Sequence, residues 1–181
     1  MYKKYIKRIL DIIVSIILII VFLPLMLIIY IIEIFNIKFP IIFKQEREGI
    51  NKKPFKMYKF RTLKIQGDNN SRTKFTNILR KTGLDELPQL FNVLKGDMSI
   101  IGPRPFLVND NLPNDYIDPM RYTVKPGIFG LAQSHGRRDV NHKKKLEYDT
   151  IYAKNVNFIL DFKIFFKTAF MMIKHIITNH E

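Results

Sequence analysis

The chain contains no cysteine. A disulfide framework and a thiolate zinc site are thereby excluded. Histidine is scarce as well: His135, His142, His175 and His180 are scattered without metal-ligand spacing. That argues against a His-based transition-metal centre, and leaves open a divalent ion held by carboxylates and phosphates. Acidic residues are also in short supply, 16 Asp and Glu against 30 Lys and Arg, for a formal net charge of +14. A surface of this sign selects an anionic partner. Nucleic acid, an anionic leaflet and a phosphorylated substrate all qualify. There is no internal repeat. The 181 residues hold one ordinary domain, or a membrane segment plus a small domain.

What the chain does have is one long apolar run. Residues 12–32 are interrupted only by Ser15 and Pro24, and Asp11 and Glu33 bracket them. About 20 apolar residues suffice to cross a bilayer as a helix. No small-residue cleavage site follows, so a cleaved signal peptide fits poorly. Lys3, Lys4, Lys7 and Arg8 precede the run, and Lys38, Lys44 and Arg47 follow it. Positive charge favours the cytoplasmic side, and here both flanks ask for that side. Pro24 removes a helix hydrogen bond near the middle and should kink or break the helix. A helix-break-helix that re-enters one leaflet reconciles these features. A kinked single span also stands, because proline is tolerated in spanning helices.

Beyond the run, PIIFKQER and PFKMYKFRT read as two extended pieces around a turn at Gly49-Ile50-Asn51. Alternate residues of a strand share a face, which places Phe55, Met57, Lys59 and Arg61 together. A solvated hairpin edge guarded by lysines would look the same. Residues 66–72 are a polar loop, and residues 73–81 a short basic helix ended by Gly83. A second helix is predicted over residues 85–95, with Leu84, Leu87, Leu90, Phe91 and Leu94 at helical spacing. Asp85 would be its N-cap, Pro88 falls in the first turn and Gly96 stops it. Loops follow to about residue 111. Residues 143–154 and 158–177 are predicted helices. The last is rich in Phe, Ile and Met and carries Lys163, Lys167 and Lys174. It suits either a core or a membrane interface. The fold class is α+β and helix-rich, with residues 1–39 as a membrane anchor and residues 40–181 as a cytosolic domain with a β-hairpin.

Three clusters have chemical potential. Asp85 and Glu86 stand at a helix start, where unpaired N–H groups and the dipole favour negative charge. An ionised carboxylate can attack phosphorus or bind a divalent ion, and its neighbour can share the ion or move protons. Taken alone, the pair reads first as a plain helix cap with a first-turn Glu. Gly102-Pro103-Arg104-Pro105 stiffens the backbone around one arginine, which suits bidentate phosphate recognition, or simply makes a rigid turn. Arg137-Arg138-Asp139 sits in a Gly-rich loop that suits a phosphate or nucleotide, or solvent. Lys143, Lys144 and Lys145 read as solvated surface or lipid-headgroup contact.

Taken together, the strings FKMYKFRTL, LRKTGLDELPQLFNVLKGDMSIIGPRP and RYTVKPGIFGLAQSHGRRD are similar to motifs of the bacterial sugar transferases, also called monotopic phosphoglycosyl transferases, in their minimal single-domain form. The tail KLEYDTIYAKNVNFILDFKIFFKT fits too, and the order is the family's. The resemblance implies that Asp85 attacks the sugar-linked phosphate of a UDP-sugar, releasing UMP and holding the phospho-sugar covalently. It implies that Glu86 assists as base or metal ligand, and that Mg2+ sits at Asp85 and Glu86. The acceptor would be undecaprenyl phosphate. Lys59, Arg61, Arg80, Arg104 and Arg137 would meet phosphate or nucleotide. The anchor would be re-entrant with its kink at Pro24, in phospholipid of the bacterial cytoplasmic membrane, and the catalytic domain would face the cytoplasm. Nucleic acid would not be a partner, whereas glycosyltransferases of the downstream pathway would.

Two departures stand out. Leu23-Pro24 replaces the family's frequent Ser-Pro pair, so a hydroxyl at the helix break is missing. RTL replaces the common RTM, a volume-like swap. A non-enzymatic module for anionic membranes would explain the charge and the apolar helices, but not DELP beside GPRP. An inactive scaffold is opposed by the intact Asp85-Glu86 pair.

Overall fold

The computed structural model describes residues 1–37, 39–63, 72–108, 118–136 and 141–178, with side chains up to Met171. After a single π turn, Tyr2–Ile6, helix α1 spans Lys7–Asn36. The expected helix-break-helix is therefore one helix of 30 residues with Pro24 inside it. Proline removes one backbone hydrogen bond, and a helix of this length keeps the rest. Among the described residues, this is the one helix long and apolar enough to cross a membrane.

Both ends of α1 are attached to the same body. Near its start, Arg8 donates to the carbonyls of Val93 and Leu94 at 2.5 and 2.8 Å. Asp11 accepts from the Ser99 hydroxyl and the Ile100 N–H, both at 2.9 Å. Farther along, Met26 and Ile29 join Ile41, Phe60 and Leu79 in a buried cluster. The other face is bare: Ile13, Ile17, Ile20, Val21, Leu27 and Ile31 are exposed.

Strands β1 (Ile42–Glu48) and β2 (Pro54–Phe60) form the expected antiparallel hairpin, with Phe43 opposite Lys59 and Gln45 opposite Met57. Helix α2 (Lys74–Thr82) follows, capped by the Thr73 hydroxyl on the Thr76 N–H. Helix α3 is shorter than its apolar spacing predicts and covers Gln89–Lys95. Its buried face carries Gln89, Leu90, Asn92 and Val93, while Phe91 points outward. Asn92 ties α3 to β2. Its side chain accepts from the Tyr58 N–H and donates to the Lys56 carbonyl. Those bonds set the distance between β2 and the segment just before α3.

The segment read as loop contains a second sheet. Strand β3 (Ser99–Ile101) runs parallel to β4 (Gly127–Phe129). A methyl group at Gly127 would overlap the backbone of Gly102, and one at Gly102 would overlap the Lys125 carbonyl. The two glycines thus let the backbones touch where β3 gives way to Pro103. Helices α4 (His142–Lys154) and α5 (Phe158–Thr178) match their predicted spans closely. Buried Asp161 on α5 gathers Lys7, Tyr2 and Tyr152 at 2.6 to 2.8 Å, which locks the chain start to the final helix. Residues of β2, α3, β3, α4 and α5 share the main core, built on Met57, Val93, Met98, Ile101, Tyr152 and Ile164.

Candidate active site

Gly83 ends α2 in the left-handed conformation at φ 75°, and the chain turns through a 3-10 segment, Leu84–Glu86. Asp85 is therefore not the N-cap of α3, contrary to the sequence expectation. Pro88 occupies that position. The reason is local: the tight turn closes with Glu86 N–H on the Gly83 carbonyl and Leu87 N–H on the Leu84 carbonyl, and α3 starts only beyond the proline. Asp85 and Glu86 are each 9% exposed and line a cleft of about 630 Å³.

That cleft collects charge. Arg47, Lys59, Arg61, Arg80, Lys81, Arg104 and Lys145 line it together with Asp85, Glu86 and Asp149. Glu86 lies between two of these cations. Lys59 reaches its Oε1 at 3.1 Å, and Arg104 places Nη2 on Oε1 at 2.6 Å and Nη1 on Oε2 at 3.4 Å. Burial pulls the Lys59 ammonium below its ordinary pKa, and the Glu86 carboxylate beside it pushes the other way. For Arg104 the Glu86 charge is the leading influence and holds the guanidinium more firmly protonated. Burial lifts the Asp149 carboxyl to about 6, while Arg121 at 3.1 Å opposes the rise.

All six sequence-proposed basic and acidic positions with described coordinates line the cleft: Glu86 meets Lys59 and Arg104 directly, and Asp85, Arg80 and Arg61 stand on its wall. The Arg61 Nε donates to the Pro40 carbonyl, and its guanidinium sits over the Phe43 ring. Arg137 lies outside the described residues. Lys145, read as solvated surface or headgroup contact, stands on the cleft wall. Sequence reasoning missed Asn92, Asp149 and Arg121. Asn92 had a local signal, a polar residue between Leu90 and Val93 on an inward helix face. Arg121 and Asp149 pair across 28 positions, and neither carries a local mark.

A second cavity, an apolar groove of about 410 Å³, meets the cleft from the side of α1 and α5. Leu18 and Phe22 of α1, Phe165 and Met171 of α5, and Leu87, Leu90 and Phe129 form its walls. Glu86, Arg104, Gln133 and Gly136 line both cavities. Charged cleft and apolar groove therefore share Glu86, the neighbour of Asp85.

A family model described as bacterial sugar transferase matches residues 2–175. The chain belongs to that family. An uncharacterized sugar transferase, EpsL, from Bacillus subtilis (strain 168) is 47% identical over 135 residues, which cover 69% of this chain and 66% of the relative. A UDP-glucose:undecaprenyl-phosphate glucose-1-phosphate transferase from Klebsiella pneumoniae is 42% identical over 184 residues, covering 91% of this chain and 39% of the relative. An undecaprenyl-phosphate galactose phosphotransferase from Salmonella typhimurium (strain LT2) is 36% identical over 199 residues, covering 95% and 41%. The chain thus spans less than half the length of the latter two.

For a sugar transferase of this family a divalent ion is the implied cofactor, and the donor set can be tested against it. Among the described residues no three His, Cys, Asp or Glu side chains converge as a cage. Mg2+ needs no such cage, since it commonly binds through one or two carboxylates together with substrate phosphates and waters. Asp85 on the cleft wall fits that mode. Glu86, the second carboxylate expected there, stands beside it with Lys59 and Arg104 on its oxygens.

Proposed function

We propose that this protein moves a phospho-sugar from a UDP-sugar to a polyprenyl phosphate, in the first membrane step of a bacterial surface glycan pathway. One observation carries the reading: the buried Asp85-Glu86 pair lines a cation-lined cleft, and Glu86 also lines the apolar groove that meets it. A water-soluble diphosphate suits the cleft, and an isoprenoid chain suits the groove. The relatives named for glucose and galactose transfer use undecaprenyl phosphate by name, which supports this pairing.

In the first half-reaction an Asp85 oxygen bonds to the sugar-linked phosphorus and the bond from that phosphorus to UMP breaks. Arg104 and Lys59 compensate the charge on the phosphoryl oxygens, and Arg61, Arg80 and Arg137 hold the remaining phosphate and nucleotide. In the second, an oxygen of the polyprenyl phosphate bonds to the same phosphorus and the aspartyl bond breaks, which regenerates Asp85. Mg2+ held by Asp85 and the diphosphate would offset further negative charge. Glu86 keeps Lys59 and Arg104 in place through both steps.

Residues 1–39 act as a re-entrant anchor, and residues 40–181 work at the cytoplasmic face of the inner membrane. The attachment of both ends of α1 to one body supports re-entry. A crossing helix would put its ends on opposite faces of a core about 30 Å thick; a return to one face needs a bend in this unbroken helix, and we place it at Pro24. The exposed Phe158, Phe162, Phe166 and Phe170 on α5 extend the apolar surface that meets lipid.

Membranes containing the protein should release UMP when given Mg2+, undecaprenyl phosphate and one of a panel of UDP-sugars. No UMP from any donor would overturn the reading. Single cysteines placed at Lys4 and Lys44 should both react with an impermeant thiol reagent from the cytoplasmic side. Labelling from opposite sides would replace re-entry by a spanning helix.

A further inference from the structure

The segment that carries Arg104 is held in an unusual way. Pro103 and Pro105 have no N–H, so the loop cannot be fixed by donating from those positions. Four consecutive carbonyls are bound instead. Pro103 accepts from the Gly127 N–H at 2.9 Å, and Phe106 from the Glu48 N–H at 2.9 Å. Pro105 accepts from an Arg47 guanidinium nitrogen at 3.3 Å. Arg104 itself accepts from Arg121 Nη2 at 2.9 Å.

The last bond comes from a deeply buried group. Arg121 is 4% exposed and sits in the 3-10 turn Pro119–Thr123, which Asp118 caps. Its guanidinium lies 3.6 Å from the Phe106 ring centroid. The same Nη2 reaches Asp149 of α4, itself 5% exposed, at 3.1 Å. Burying a guanidinium without a partner is costly, and a bare second cation beneath Arg104 would repel it. Asp149 cancels that charge, so Arg121 can hold the carbonyl without altering the balance of the cleft.

We propose that Arg121, neutralised by Asp149, is a positioning residue: it sets the height of the Arg104 backbone, and thereby the reach of the Arg104 guanidinium toward Glu86 and the phosphate above it. It touches neither substrate nor reacting atoms. The inference rests on the transferase reading, in which Arg104 meets phosphate. Misplacing a catalytic contact by about 1 Å can cost on the order of 100-fold in rate.

The test is a double-mutant cycle on UMP release, with wild-type activity as its control. Arg121→Lys keeps a cation for Asp149 but loses the rigid fork. It should leave the unfolding midpoint nearly unchanged and lower kcat on the order of 10- to 100-fold. Arg104→Ala should then cost far less in the Arg121→Lys background than in the wild type, because the guanidinium is already misplaced. A merely structural Arg121 would give additive losses, and additivity, or full activity in Arg121→Lys, overturns the proposal. If Arg121→Lys does not fold, Asp149→Asn, which preserves the shape of the pair, is read in the same cycle under the same criterion. Failure of both variants to fold also counts against it, since that is the signature of a purely structural pair. Absence of UMP from the wild type speaks against the transferase reading instead.

Discussion

Asp85→Asn is expected to abolish turnover, with a loss on the order of 10⁴-fold or more for removal of a covalent nucleophile. The change is nearly isosteric, so the 3-10 turn and its two backbone bonds should survive. An amide lacks the charge needed to attack phosphorus. Intact-protein mass spectrometry after incubation with UDP-sugar alone should show one added phospho-sugar on the wild type and none on the variant. Full activity in Asp85→Asn would remove Asp85 from the chemistry. An unaltered adduct with slow turnover would move the attachment to another side chain. Because Asp85 does not cap α3, the experiment separates catalysis from helix stability more cleanly than its position in the sequence suggests.

Glu86→Gln is expected to slow both half-reactions, by about 100-fold, comparable to losing a preorganised charge-stabilising group. The ground is geometric: Glu86 is the shared partner of Lys59 and Arg104. Without its charge, the leading influence that raises the Lys59 pKa is lost and only the lesser one from Asp85 remains, while burial and Arg104 still lower it. A lysine is protonated below its pKa and neutral above it. The alkaline limb of the rate profile should therefore begin at lower pH in Glu86→Gln than in the wild type. Adduct formation and adduct discharge, followed separately across that range, check both points. An intact first half-reaction with a lost second would instead make Glu86 a base for the acceptor.

Elements with strong local marks were legible in the sequence. Alternation and the turn at Gly49 indicated the hairpin, Thr73 and Gly83 bracketed α2, and the Phe-, Ile- and Met-rich run marked α5. The β3–β4 pair was not legible. Each strand has three residues, and their pairing depends on two glycines 25 positions apart that let backbones touch. The candidate site divides in the same way. Lys59 lies in one recognisable string and Glu86 and Arg104 in another, but that Lys59 meets Glu86 depends on Asn92 fastening α3 to β2, which no string shows. Asp85 as a cap was a reasonable expectation from the Leu spacing, and Pro88 overrode it by delaying the helix.

The double attachment of α1 bears on how the enzyme addresses its lipid. A flexible tether would let a catalytic head drift over a range of altitudes above the bilayer. Here the membrane-facing helix contributes Met26 and Ile29 to a core, Arg8 to the end of α3, and Leu18 and Phe22 to the groove beside Glu86. On the proposed reading, Asp85 and Glu86 thus ride at a fixed depth relative to the acyl chains. A change in bilayer thickness or headgroup packing would act on the site as directly as a change in one of its own side chains.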